Sequence, residues 1–251
     1  MKEKEINNIH DKLYELLIEL ERIAGNNKLQ YNLAYGTALG AVRENGFINW
    51  DTDLDIMVTI DHYEKFCGTL ELELKEDYCL FTQKKYNNYY RMFNRIGFKN
   101  VPQDELHIDI FPMVGAPKSK FKKFLFGFIT YLIHMGNAFK NTNIKNMSKK
   151  ASKRTVIIYS ICKIICMPVP NILFKYLYNR LKTAYPIKDS TDIYSISGPN
   201  IVTDFIPKKW IKESEYKSFE ELKLPVPKEW DKYLTQIYGD YMTPRKANYY
   251  R

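Results

Sequence analysis

Acidic residues at alternate positions lead straight into an apolar run, and this pattern constrains the fold more than any other. Asp51, Asp53 and Asp55 are followed directly by the run 56–58. In an extended strand, residues two apart point to the same face, so the carboxylates of Asp53 and Asp55 project together. The alternative is a solvated acidic turn. However, three acids before an apolar strand are unfavourable strand chemistry unless they bind a ligand.

The paired carboxylates favour a metal site. Two carboxylates on one face repel each other unless a cation lies between them. A hard divalent ion that takes oxygen ligands is the natural partner. We therefore predict Mg²⁺ at Asp53 and Asp55, with Mn²⁺ as an alternative.

A second alternating segment lies at residues 107–111, where Asp109 sits between Ile108 and Ile110. Delivered from a neighbouring strand, Asp109 is a third acid for the metal site or a base for an attacking hydroxyl. Taken alone, Asp109 is better interpreted as a hydrogen-bonded acid at a strand edge. His107 shares its face, and we expect a structural or supporting role for it.

Gly36-Thr37 lies between a short predicted strand at 31–35 and a predicted helix at 38–43. A glycine followed by a hydroxyl residue at such a junction lets backbone N–H groups and the hydroxyl approach a phosphate. Gly-Thr is common in ordinary turns, but the acidic strand that follows it strengthens this interpretation. We therefore predict phosphate contacts at Gly36 and Thr37.

Arginines near these motifs are candidate phosphate partners. Arg43 is the nearest cation, and it pairs either with a phosphate or with Asp51 or another acid. Arg91 and Arg95 precede the second acidic segment. They are further candidates, with exposed surface positions as the alternative.

Strand and helix patterns interleave along the chain, which predicts an α/β or α+β fold. We treat residues 1–251 as a single catalytic domain. Apolar residues recur at helical spacing in 5–23, where the helix is expected to end at Gly25-Asn26-Asn27. The remaining predicted elements are strands at 54–58, 89–98 and 107–111 and helices at 61–72 and 230–238.

Charge is distributed unevenly over the 251 residues, whose net charge is +9. The segment 117–188 contains 15 Lys and Arg and no Asp or Glu, whereas the remainder has a net charge of −6. We predict that this basic segment is a mainly helical insertion with breaks at 141–147 and 168–170. Its basic residues flank the apolar runs 124–139 and 155–168. They include Lys118, Lys120, Lys122, Lys123, Lys149, Lys150, Lys153 and Arg154.

Two interpretations of the basic segment stay open. It is either a platform for an anionic membrane surface or a helical excursion packed on the core with solvated lysines. A nucleic-acid binder is disfavoured because no motif of that class is present. The apolar runs are too short or interrupted to span a bilayer. Residues 1–21 lack a secretory pattern and the four cysteines lack metal spacing, so we expect a cytoplasmic protein, peripheral at the inner face of the plasma membrane.

These motifs together resemble the LicD family of the nucleotidyltransferase-fold superfamily. The resemblance rests on Gly-Thr-x-Leu-Gly-x-x-Arg at 36–43, Gly-Phe-Ile-x-Trp-Asp-x-Asp-x-Asp at 46–55 and Ile-Asp-Ile-Phe-Pro at 108–112. A closing motif at 219–242 agrees with it. The resemblance covers roughly residues 5–115 and 200–244, and the basic segment carries no matching motif. Thr52 and Ala38 depart from the usual residues but are not among the proposed ligands.

The resemblance implies a mixed sheet with flanking helices and Mg²⁺ between Asp53 and Asp55. It further implies Asp109 as the third acid, Gly36 and Thr37 at phosphate, and Asp51 as a further ligand or an outer partner. The implied reaction moves phosphocholine from CDP-choline, or a related group from another CDP-linked donor, onto a lipid-linked or polymeric surface glycan. Lipopolysaccharide, teichoic acid and capsule are the glycans in question.

Two other enzymatic interpretations keep the same fold. One is a polyol-phosphate transferase that uses CDP-glycerol or CDP-ribitol, and the other is a true nucleotidyltransferase acting on a small molecule or RNA. Phosphoryl-type transfer depends on charge neutralisation and positioning more than on a covalent nucleophile. The sequence agrees with that requirement, since no Ser-His-Asp or Cys-His arrangement is evident.

Overall fold

The structure, a computed structural model, describes residues 3–86, 89–147 and 151–243. The helices in these ranges are α1 Glu3–Asn27, α2 Tyr35–Arg43, α3 Ile60–Glu73, α4 Lys120–Asn141, α5 Ile144–Met147, α6 Lys153–Cys166, α7 Asn171–Lys182 and α8 Trp230–Tyr238. The strands are β1 Asn32–Leu33, β2 Leu54–Thr59, β3 Tyr78–Phe81, β4 Asn94–Phe98, β5 His107–Gly115, β6 Asp192–Ser195, β7 Phe205–Pro207, β8 Ser214–Phe219 and β9 Leu222–Pro227.

A seven-stranded mixed sheet is built around β5, which is buried along its whole length. One edge of β5 pairs in parallel with β2, which in turn pairs with β1. The other edge pairs first with β4 and then with β6, so two strands share it in succession. The predicted mixed sheet with flanking helices is confirmed.

Helix α1 covers the sheet with an apolar stripe. Leu13, Leu16, Leu17, Leu20 and Ile23 are fully buried at helical spacing. Burying a side chain of this size stabilises the fold by roughly 1.5–3 kcal/mol. The helix ends at Asn27, which confirms the expected stop at 25–27, and the left-handed residue after it is Lys28, with a φ of 50°.

The β8–β9 hairpin fastens the loop that leads to the acidic residues. Its turn residue Glu220 has a φ of 52° and donates its N–H to the carbonyl of Asn45 over 2.8 Å. The Glu220 carboxylate also accepts the N–H of Phe47 over 3.2 Å. The hairpin therefore anchors the turn between α2 and β2.

The basic segment is mainly helical, as predicted, and forms two layers. Helix α4 buries Phe126, Thr130, Ile133 and Asn137 against the core, and α7 buries Phe174 and Tyr178. Helix α6 contacts α4 and α5, and none of its residues 153–166 is buried. The inner layer thus packs on the core, while α6 lies outside it.

Not all the lysines of this segment are solvated. The Lys123 ammonium pairs with Asp192 and lies 5.9 Å from the centre of the Phe205 ring. Lys149 and Lys150 lie outside the described residues. No single helix in the described ranges is long and apolar enough to cross a membrane, and α6 and α7 meet that criterion only as a pair bent by 92°.

The predicted strand at 89–98 is wrong in its first half. Only Asn94–Phe98 forms a strand, because residues 89–93 lead into the sheet as a loop. Strands β3 and β6 to β9 are not among the strands predicted from the sequence. Helices α3 and α8 confirm the predictions at 61–72 and 230–238.

We predict opposite effects for two helical glycines. A Cβ at Gly40 would lie 2.4 Å from the carbonyl oxygen of Gly46, whereas a Cβ at Gly68 meets nothing within 4 Å. Gly40→Ala should destabilise the fold by about 1–3 kcal/mol through overpacking. Gly68→Ala should stabilise it by about 0.5–1 kcal/mol through helix propensity. Urea denaturation of both variants measures these changes, and equal effects of the same sign would contradict the packing of α2.

Candidate active site

Three strands place charged residues side by side in the centre of the sheet. The parallel register of β2 and β5 sets Asp55 opposite Asp109. The antiparallel register of β4 and β5 sets Arg95 opposite the same Asp109. Directly opposed residues on neighbouring strands present their side chains to the same face. Asp55, Asp109 and Arg95 therefore form a row across the sheet.

Asp109 and Arg95 form a buried bidentate ion pair. Their side chains are only 7% and 3% exposed. Arg95 donates from Nε to Oδ1 of Asp109, and from Nη2 to Oδ2 over 3.1 Å. Although burial lowers it, the Asp109 charge holds the pKa of Arg95 above its usual range. The alternative of an exposed surface position is therefore wrong for Arg95, because its guanidinium is buried and binds the Asp109 carboxylate.

The remaining nitrogen of the Arg95 guanidinium, Nη1, binds the loop that precedes β5. Nη1 of Arg95 donates to Oδ1 of Asp104 over 2.8 Å and to the carbonyl of Gln103 over 3.0 Å. His107 lies beside the pair, with Nε2 at 3.6 Å from Asp109 Oδ1 and Nδ1 at 2.7 Å from the carbonyl of Glu105. Burial lowers the pKa of His107, which favours its neutral form.

Four carboxylates line one cavity of about 880 Å³, and they are those of Asp51, Asp53, Asp55 and Asp109. Asp55 is the most constrained of them. Burial raises its pKa well above the usual value, and the charges of Asp53, Asp109 and Asp51 raise it further. The predicted acidic residues are therefore brought together, as the strand pattern indicated.

The first turn of α2 also lines the cavity. This helix begins at Tyr35, whose N–H donates to the hydroxyl of Tyr233 over 3.0 Å. Gly36 lines the cavity, and a Cβ at this position would lie 2.5 Å from Oδ2 of Asp51. A helix N-terminus at this wall favours negative charge in the cavity.

Thr37 has a different position from the one expected. Its side chain is buried, and its hydroxyl accepts the backbone N–H of Asp55 over 2.7 Å. The hydroxyl thus holds the start of β2 against α2. Thr37 fixes the position of Asp55 and is not part of the cavity lining.

The other two predicted arginines, Arg43 and Arg91, lie in different parts of the structure. Arg43 lies at the far end of α2, where it donates to Glu44 over 2.7 Å and to the carbonyl of Tyr241 over 2.8 Å. It does not line the cavity, and its pairing with Glu44 matches the alternative in which Arg43 is the partner of an acid. Arg91 does line it, and its guanidinium lies 3.1 Å from Asp104 and 5.7 Å from the centre of the Tyr90 ring.

Helix α4 supplies a wall that sequence reasoning missed. His134, Met135, Asn137 and Ala138 line the cavity. The Asn137 amide donates to the carbonyl of Tyr90 over 2.5 Å. Thr130, His134 and Asn137 are polar residues at helical spacing in a largely apolar helix, which is the signal that could have revealed this face.

His134 presents a buried ring nitrogen to this region. Nε2 has no hydrogen-bond partner among the described residues. Burial, with a further contribution from Arg91, lowers the pKa of His134 to about 4. Its imidazole is therefore neutral near pH 7, and Nε2 is available to a polar group of a ligand.

The donor set suits a hard cation that brings some of its own ligands. Within the described ranges, no three His, Cys, Asp or Glu side chains form a ready-made metal cage. Mg²⁺ is commonly held by one or two carboxylates together with water and substrate phosphate. Burial and the neighbouring acids raise the pKa of Asp55, which shows that its charged form is disfavoured without a compensating positive charge.

We predict that the ion pair is a structural requirement of the site. Arg95→Met should destabilise the fold by about 3–5 kcal/mol, because it leaves Asp109 buried and uncompensated. Arg91→Met is the matched control, since Arg91 also pairs with Asp104 but is partly exposed, and its cost should stay below about 1 kcal/mol. Chemical denaturation measures both, and similar losses would contradict the assigned role of Arg95.

Comparisons with known proteins agree with this geometry. A family model described as LicD/FKTN/FKRP, nucleotidyltransferase domain, matches residues 28–152. The lipopolysaccharide cholinephosphotransferase LicD of Haemophilus influenzae is 27% identical over 228 residues, covering 86% of this chain and 83% of that protein. The family match includes α4, although no motif had linked the basic segment to the family. The acidic residues, the strand register and the α4 wall all lie in the matched region, which belongs to the LicD family.

Proposed function

We propose that this chain transfers phosphocholine, or a closely related substituted phosphate, from a CDP-activated donor to a hydroxyl group of a cell-surface glycan. The observation that carries the proposal is the register that sets Asp55 beside Asp109 in a cavity with Asp51 and Asp53. Family membership and the relative's cholinephosphotransferase activity support a phosphotransferase reaction.

In this proposal, Asp53 and Asp55 hold Mg²⁺, or Mn²⁺ in its place. Such an ion neutralises phosphate charge during phosphoryl-type transfer. Asp51 is a further ligand or an outer partner, because its carboxylate lies against Gly36 at the same wall. The Thr37 hydroxyl keeps Asp55 in place by accepting the backbone N–H of Asp55.

Asp109 is the third acid of the proposed site. Both of its oxygens accept hydrogen bonds from Arg95, so its orientation is set before any substrate binds. The bonds of Arg95 to Asp104 and Gln103 fix the guanidinium in turn. Orientation of this kind lowers the reorganisation that the reaction requires.

Two parts of the cavity suit the donor. The first turn of α2 at Gly36 and the Arg91 guanidinium favour phosphate oxygens. Trp50, Tyr90 and Tyr238 provide aromatic surface. A quaternary ammonium binds well against such rings. This combination favours a choline head group over a neutral polyol, which remains the second candidate.

The acceptor in this proposal is a glycan, polymeric or lipid-linked. The related enzyme is named for lipopolysaccharide. Teichoic acid and capsule offer hydroxyl groups of the same kind. We also propose that the chain meets its acceptor at the inner surface of the plasma membrane.

A donor panel tests the function. With Mg²⁺ and a glycan acceptor, we expect CMP release to be greatest with CDP-choline and weaker with CDP-ethanolamine, CDP-glycerol and CDP-ribitol. Asp53→Asn and Asp55→Asn should each lower the rate at least about a hundredfold, because phosphate charge is no longer neutralised. Asp61→Asn, an exposed change on α3, is the matched control and should be neutral.

Product analysis separates the alternatives. Free CMP with a phosphocholine-bearing glycan supports the proposal, and polyol phosphate on the glycan favours the second candidate. Nucleotide attached to the acceptor would indicate a true nucleotidyltransferase. Full activity in either Asp variant would contradict the assigned site.

We predict that Asp55 costs stability in the absence of a divalent cation. Its raised pKa means that the folded state disfavours the ionised form. The stability that protonated Asp55 contributes to the fold is fully present below the unfolded pKa of about 3.9. It is lost as the pH rises through the pKa of Asp55 in the folded state. Asp55→Asn should therefore raise the melting temperature by at least about 2 °C in metal-free buffer at pH 8.

The difference in melting temperature between Asp55→Asn and the wild type should narrow as the pH falls toward about 4. Added Mg²⁺ should raise the melting temperature of the wild type but not that of Asp55→Asn. A variant less stable than the wild type at pH 8 without cation would show that Asp55 is not under electrostatic strain.

A further inference from the structure

Exposed apolar side chains are concentrated in the basic segment. Of the 22 large apolar side chains that are exposed among the described residues, 17 lie between residues 121 and 177. Soluble surfaces carry scattered apolar residues, whereas a concentration of this kind marks an interaction site. The 17 are Phe121, Phe124, Leu125, Phe128, Ile129, Tyr131, Leu132, Ile157, Ile158, Ile161, Ile164, Ile165, Met167, Ile172, Leu173, Tyr176 and Leu177.

Helix α4 has two apolar faces. One face buries Phe126 and Ile133 against the core. The opposite face, over residues 121–132, presents Phe121, Phe124 and Leu132 to the outside. A helix that packs on a soluble core ordinarily has a polar outer face. The outer face of α4 is therefore built to meet an apolar environment.

The elbow between α6 and α7 is the second apolar feature. The two helices are bent by 92° around Pro168 and Pro170. Ile164, Ile165 and Ile172, which flank the bend, are 71%, 68% and 70% exposed. The elbow thus carries its most exposed apolar side chains close to its tip.

Charge identifies the partner. The segment 117–188 has 15 basic residues and no acid. Exposed Lys118, Lys120 and Lys122 stand at the start of α4, and exposed Lys153 and Arg154 stand at the start of α6. Apolar faces rimmed by lysine and arginine bind anionic lipid surfaces. Pairing with a second copy would set two such basic rims against each other.

We propose that the outer face of α4 and the α6–α7 elbow insert into one leaflet of an anionic phospholipid bilayer. The apolar side chains enter the boundary between headgroups and acyl chains, and the basic residues remain at the headgroups. Interfacial helices of this type penetrate about 5–10 Å. The bilayer is bound at its surface and is not crossed.

This docking connects the bilayer to the catalytic cavity. A smaller cavity of about 200 Å³ follows α4 from Tyr131, on the outer face, to His134 and Met135. His134 and Met135, with Ser197, Pro199 and Asn200, also line the catalytic cavity. Resting on the proposed function, we infer that a lipid-linked glycan reaches the acidic residues along this path.

Vesicle sedimentation tests the docking. The full chain should bind vesicles of phosphatidylcholine and phosphatidylglycerol and bind pure phosphatidylcholine at least about tenfold more weakly. Ile164→Gln/Ile165→Gln and Lys120→Glu/Lys122→Glu should each lower the partition coefficient for the anionic vesicles at least about tenfold. The matched controls are Leu72→Gln/Ile18→Gln and Lys65→Glu/Lys99→Glu, which alter exposed residues outside the segment and should bind as the wild type does.

The outcomes distinguish docking from catalysis. Loss of vesicle binding only in the segment variants, with unchanged thermal unfolding and unchanged turnover of a water-soluble acceptor, supports the proposal. Binding unaffected by both segment variants would overturn it. A dimer that dissociates on Ile164→Gln/Ile165→Gln, without vesicle binding, would assign the face to a second copy and also overturn it. Sedimentation does not require activity, so failure of the proposed reaction leaves this test valid.

Discussion

Repulsion among four carboxylates is the constraint on which the rest of the site depends. Asp51, Asp53, Asp55 and Asp109 line one cavity, and the half-buried Asp55 bears the electrostatic cost. Arg95 compensates one of these charges through its bidentate bond to Asp109. In our proposal, a divalent cation balances the remaining charges, and the phosphate donor supplies further oxygen ligands to that cation.

The sheet makes this arrangement possible because β5 has partners on both edges. Its parallel pairing with β2 brings in Asp55, and its antiparallel pairing with β4 brings in Arg95. The N-terminus of α2 is held over β2 by the bond between Thr37 and the Asp55 N–H. The β8–β9 hairpin then restrains the loop between α2 and β2 through Glu220. Elements distant in sequence thus fix a single acidic cluster.

Helix α4 contributes both to the catalytic cavity and to the proposed membrane-binding surface, two features that the sequence suggested separately. Its C-terminal half forms a wall of the catalytic cavity, and its N-terminal half bears an outward apolar face. About 15 Å of helix separates Phe124 from His134, at 1.5 Å per residue. In our proposal, a membrane-bound acceptor therefore travels only a short distance to the acids.

The sequence by itself determined the acidic strand, the second acid at Asp109, the long helix α1 and the helical nature of the basic segment. These follow from local periodicity and from the chemistry of neighbouring side chains. Only the tertiary structure decided that Arg95 serves Asp109, that Arg43 lies away from the cavity, that the Thr37 hydroxyl is structural and that α4 lines the site. Each of these depends on strand register or helix packing between distant segments, which no local pattern specifies.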